Sequence, residues 1–114
     1  MNPVANVKIE IFIPEEYLEA LGEALYQAGA GQIGNYDHCK SITHVEGTWR
    51  PLEQAHPFMG ETGKVSSAHE LKVEVNCTWE RVSRVLEAIR KVHPYEEPLI
   101  NILPLLNHHF SKKY

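Results

Sequence analysis

Cysteine is scarce, with only Cys39 and Cys77 in 114 residues. That count excludes a disulfide framework and fits a reducing compartment. Basic charge is scarce too. Eleven Lys plus Arg face 15 Asp plus Glu, and basic clustering is limited to Lys112-Lys113, so the positive stripe used to grip nucleic acid is missing. No apolar run approaches the roughly 20 residues of a membrane span, and the first residues lack the charged-then-apolar layout of a signal peptide. The expectation is a cytoplasmic protein with neither nucleic acid nor membrane as partner. Linkers, low-complexity tracts and internal repeats are also lacking, which leaves a single domain over residues 1–114. A chain of that length buries roughly two-thirds of its unfolded surface on folding, enough for a real core.

What is present begins with two kinds of periodicity. Val7, Ile9, Ile11 and Ile13 alternate with polar or outward residues, as do Leu71, Val73, Val75 and Cys77, and each run predicts a strand with one buried face. Leu18, Leu21, Ala24, Leu25 and Ala28 recur at helical spacing behind Pro14, Glu15 and Glu16, with Gly29 and Gly31 as the stop. Trp79, Val82, Val85, Leu86, Ile89 and Val92 form a second stripe, with Thr78 as its cap and Pro94 ending it. Extended segments at about Lys40–Trp49 and Leu99–Leu103 complete the order strand, helix, strand, strand, helix, strand. That order matches an α+β, ferredoxin-like βαββαβ sandwich, an antiparallel sheet with both helices on one face. The stretch between Arg50 and Ser66 is long for an aperiodic connection and so reads as functional or mobile.

Two segments carry the functional signal. Gly29, Gly31 and Gly34 spell G-x-G-x-x-G, but they follow a helix and lead into a strand, the reverse of a dinucleotide fingerprint. They read instead as a helix stop and tight turn presenting Asn35, Tyr36, His38 and Cys39. Downstream stands His93-Pro94-Tyr95-Glu96-Glu97-Pro98. Both segments follow a helix and enter a strand, so they are expected at the same end of the domain. His38, Cys39, His93 and Glu96 offer the nitrogen, sulfur and oxygen donors of a zinc-like divalent metal site. Adjacent strand residues point to opposite faces, so one of His38 or Cys39 would join His93 and one glutamate. Gly31, Gly34, Asn35, Tyr36, Tyr95 and Glu97 are the candidate small-ligand residues, and exposed N–H groups of the glycine turn could form a nest for an anion.

Other readings stand beside these. Tyr36 and Tyr95 could be packed aromatics with tethered hydroxyls, His93 could cap the negative end of the second helix, and Glu96 and Glu97 could bond to the Gly31–Asn35 turn. Cys77 reads as core. Catalysis by His93 with a glutamate, or by a Cys39 nucleophile, lacks motif-level support.

The Gly29–Cys39 run, Glu46-Gly47-Thr48, Arg50-Pro51, His56-Pro57-Phe58-Met59-Gly60-Glu61, Gly63-Lys64 and the 93–98 motif resemble, in order and spacing, the PII-like or CutA-like insert domain of the NGG-interacting-factor-three (YqfO-type) family. The likeness covers almost the whole chain, which is expected to stand alone as that domain. It implies a fold related to PII signalling proteins and CutA, and a homo-oligomer, commonly a trimer, with clefts between subunits. It implies no activity, because the dinuclear metal ligands of longer members lie in a flanking part with no counterpart here. Leu99-Ile100-Asn101 stands where Ala-Tyr-Asp is common, and Lys72 where arginine is frequent.

Overall fold

Strands with one apolar face need helices to cover it, and two amphipathic helices are available. In the computed structural model, which describes residues 4–110, β1 (Asn6–Ile13) turns Val7, Ile9, Ile11 and Ile13 into the core. The Lys112-Lys113 pair lies outside the described residues. Strand β3 (Ser66–Thr78) buries Leu71, Val73, Val75 and Cys77 on the same face, in antiparallel register with β1 at Ile9↔Val75 and Ile11↔Val73. Helix α1 (Leu18–Ala28) contributes Leu21, Leu25 and Ala28, and α2 (Val82–Val92) contributes Val85 and Ile89. A fully buried Ile, Leu or Val side chain stabilises by roughly 1.5–3 kcal/mol, so this single cluster dominates the fold's stability.

With β2 (Ser41–Trp49) and β4 (Ile100–Leu105) at the edges, the sheet order is β2-β3-β1-β4, every pair antiparallel. This is the expected ferredoxin-like plan. A short helical turn, α3 (Asn107–Phe110), follows β4.

Both helix entries differ from expectation. A 3-10 turn at Glu15–Tyr17 precedes α1, and another at Trp79–Arg81 precedes α2. Thr78 makes no side-chain cap bond; the first N–H after it, that of Trp79, is taken by the Ala5 carbonyl at 2.9 Å. Gly29 does end α1, in the left-handed region at φ 89°.

Strand β3 outruns β1. The β1 pairing ends at Ile13↔Leu71, while β2 stays paired to β3 as far as Trp49↔Ser66. The β2–β3 hairpin therefore projects past the sheet as an arm.

Topology also separates the two motifs. Strands β2 and β4 are oppositely directed, so the turn entering β2 meets the sheet where β1 begins and the turn entering β4 meets it where β1 ends. Gly31 bonds to Asn76, opposite Lys8, whereas His93 bonds to Phe12, opposite Lys72. Four residue steps along the strand, about 13 Å, separate these anchor points. The expectation of one shared end is corrected.

Candidate functional site

The glycine turn is closed by its own backbone. The N–H groups of Gly29, Ala30 and Gly31 donate to Tyr26, Leu25 and Asn76, Cys39 donates to Gly31, and Ile33 and Tyr36 bond each other at 2.9 and 3.0 Å. Gly31 has φ 84°, and a Cβ there would stand 3.0 Å from the Cys39 carbonyl oxygen, so glycine is needed for closure. Arg81 reaches across from the entry to α2 to donate to the Gly29 carbonyl at 2.9 Å and to Gln32 Oε1 at 3.1 Å. These bonds take up the Gly31 and Ile33 N–H groups, two of those an anion nest in this turn would use. Gly34, at φ 59°, turns the Ile33–Tyr36 loop, with Asn35 exposed at its tip. Tyr36 is 75% exposed, which corrects its reading as a packed aromatic. His38 stacks on Tyr26 with ring centroids 4.3 Å apart and lies 2.7 Å from Asp37 Oδ1. The Cys39 thiol faces the Asp37 carbonyl at 3.6 Å.

At the opposite end, His93 is only 8% exposed and both ring nitrogens are engaged. Nε2 lies 2.6 Å from the Phe12 carbonyl oxygen, and the Tyr95 N–H lies 3.2 Å from Nδ1. A carbonyl can only accept and an N–H only donate, so the Nε2–H tautomer follows. Burial pushes the His93 pKa below its ordinary value, outweighing the Phe12 bond and the Glu70 charge. The residue pins the end of α2 to the end of β1.

Tyr95 then crosses to the helix-free face of the sheet, where its hydroxyl donates to Glu70 Oε2 at 2.7 Å. Burial first, then the Glu70 carboxylate, raises its pKa above the ordinary 10, so the phenol keeps its proton. Glu70 is 6% exposed although it occupies an outward position of β3. Gly47, beside it on β2, leaves the room its carboxylate fills.

The Arg50–Ser66 connection folds back over this pair. Trp49 Nε1–H donates to the Met59 carbonyl at 3.0 Å, Gly63 N–H to Pro51 at 2.8 Å, and His56 N–H to Glu96 Oε1 at 2.9 Å. Phe58 lies between Tyr17 and Tyr95 at centroid distances of 6.3 and 6.0 Å. The result is a cleft of about 670 Å³, walled by Val45, Trp49, Phe58, Met59 and Tyr95, with Glu70, Glu96 and Glu97 as its acids. Apolar walls with a few converging polar groups are the usual make-up of a small-molecule site.

The structure thus brings Tyr95, Glu96 and Glu97 together in one cleft and leaves Gly31, Gly34, Asn35 and Tyr36 at the far end of the sheet. His38 and Cys39 cannot share one ion with His93 and Glu96 within a chain, for the same reason. Glu96 does not reach the glycine turn either; its partner is His56. Sequence reasoning missed Glu70, Gly47 and the aromatic walls Trp49 and Phe58 as site residues, although the length of the 50–66 connection signalled a functional segment. Among the described residues, Glu15, His44 and His69 form a group whose donor atoms lie within 4.8 Å of one another. No described helix is long and apolar enough to cross a membrane.

No family model matches the chain. It is 40% identical over 100 residues to the GTP cyclohydrolase 1 type 2 homolog of Halalkalibacterium halodurans, covering 88% of this chain and 27% of that protein. Against the same-named protein of Bacillus subtilis it is 39% identical, covering 86% of this chain and 26% of the relative. The chain spans about a quarter of the length of these relatives. Among solved structures, a Bacillus cereus protein related to NIF3 superposes with TM-score 0.78 at 31% identity, over 90% of this chain and 26% of that one. The PII-like protein CutA from Nostoc sp. superposes with TM-score 0.68 at 17% identity, over 93% and 86% of the two chains, a likeness of fold.

Proposed function

For a chain that belongs to the NIF3-related family over one CutA/PII-like domain, we propose a non-catalytic, oligomeric module of the cytoplasm that binds a small ligand in the cleft between the β2–β3 arm and the 93–98 segment. One observation carries the reading. The family-like motif residues Tyr95, Glu96 and Glu97 meet Trp49, Phe58 and Met59 around a cleft of about 670 Å³. Aromatic walls beside carboxylates suit a flat or amphipathic molecule that bears hydrogen-bond donors or positive charge. The names of the relatives describe proteins about four times as long, so no cyclohydrolase activity is carried to this chain.

Assembly as a trimer is part of the proposal. Leu99, Ile102, Leu103, Leu106 and Phe110 leave an exposed apolar edge along and beyond β4, and an unpaired apolar edge favours association. The divalent, zinc-like metal suggested by the donor inventory belongs elsewhere on the molecule.

Trp49 supplies the reporter. In a Trp79→Phe background, Trp49 emission is expected to change saturably with a nucleotide, amine or amino-acid ligand from a panel, and Tyr95→Ala is expected to abolish the change. No saturable ligand, with trimer mass intact by light scattering, would favour a purely structural or protein-interaction role. Substrate turnover would favour a metal-dependent enzyme.

A further inference from the structure

We propose that Glu15, His44 and His69 form a binding site for a borderline divalent transition metal, zinc or copper, separate from the cleft and from both sequence motifs. His44 on β2 and His69 on β3 are diagonal neighbours in the antiparallel register, since His44 pairs with Leu71 and Glu46 with His69. Diagonal pairs on one face of a sheet lie within reach of each other's rings. Both point to the helix side of the arm, where the helices no longer cover it and the rings are exposed.

Their geometry is close to that of two ligands on one ion. His44 Nδ1 and His69 Nε2 are 3.0 Å apart, with ring centroids at 5.0 Å and planes 25° apart. Two nitrogens each about 2.0–2.1 Å from zinc stand about 3.3 Å apart at the tetrahedral angle, so little movement is required. One ring carries the proton of the present N···N contact. Coordination needs both lone pairs, so that proton moves to the other nitrogen of its own ring, and a neutral pair releases no proton. Glu15 supplies a carboxylate with an oxygen within 4.8 Å of a ring nitrogen of each histidine, completing a two-histidine, one-carboxylate set with its other positions open to water.

Each ligand comes from a different element. Glu15 follows Pro14 in the turn between β1 and α1, at the sheet end marked by the Ile13↔Leu71 pair. A bound ion would tie that turn to the root of the β2–β3 arm, whose opposite face carries the cleft. Glu46, directly across from His69 on the same face, adds negative charge beside the dication.

The test is calorimetric titration of the untagged, chelator-stripped full chain with zinc chloride, then copper(II) chloride, with folding of each variant checked by circular dichroism. One ion per chain is expected, with affinity lowered at least tenfold by His44→Ala or His69→Ala, several-fold by Glu15→Gln, and unchanged by Cys39→Ser or His38→Ala. Nitrogen-15 spectra of the imidazoles are expected to show metal shifts at His44 Nδ1 and His69 Nε2, which a merely structural pair would not give. Absence of saturable binding, or binding that survives both histidine substitutions, would overturn the proposal.

Discussion

The Tyr95 hydroxyl donates a 2.7 Å hydrogen bond to Glu70, and the space Glu70 occupies exists because residue 47 is glycine. One buried carboxylate thereby joins the 93–98 segment to both strands of the projecting arm. A desolvated carboxylate stripped of its donor is costly, so the pair holds the cleft floor only while intact.

Tyr95→Phe keeps the ring and removes the donor. It is expected to lower unfolding free energy by about 1–3 kcal/mol in urea titrations, the usual cost of an unsatisfied buried acceptor. Glu70→Gln, which keeps an acceptor oxygen for the phenol, is expected to lose less than Glu70→Ala.

Gly47→Ala is the sharper probe of the same contact. Its Cβ would overlap Glu70 Oε1, so the carboxylate must leave its place and its bond to Tyr95. A clear fall in Tm is expected for the single variant. Combined with Glu70→Ala, the second substitution is expected to cost far less than it does alone, because the obstructing carboxylate is gone.

His93 makes stability depend on acid. Its folded pKa is depressed below 6.5, mainly by burial, so the unfolded chain binds the extra proton first. The contribution is fully present above the unfolded value and is lost as pH falls through 6.5 toward the folded one. His93→Asn is expected to flatten the fall in Tm on that acid side relative to wild type, while lowering Tm at neutral pH.

How much of this was legible in the residues can be judged strand by strand. One-sided alternation marked β1 and β3, and helical stripes marked α1 and α2, because each packs one face on the core. Strand β2 was poorly bounded because an exposed edge has little need of alternation. The antiparallel pairing of β1 with β3 turns the second strand-helix-strand unit end for end, so the topology itself separates His93 from Cys39. Glu70 stood in an outward position of a clean alternation, and only the aperiodic 50–66 segment and Tyr95 bury it. The His44–His69 pair depends on the β2–β3 register, which residue types alone do not set.

The apolar β4 edge predicts the assembly. Ile102 and Leu103 are both exposed, so Ile102→Asp with Leu103→Asp is expected to leave the fold intact and lower the light-scattering mass from three chains to one. An unchanged trimer mass would place the subunit contact elsewhere.

Ligand mapping by amide NMR on the full chain tests the central claim most directly, using whichever panel compound changes Trp49 emission. The account predicts shifts confined to residues 45–59, Glu70 and 95–99. Shifts centred on 29–39, with the cleft residues unmoved, would contradict it.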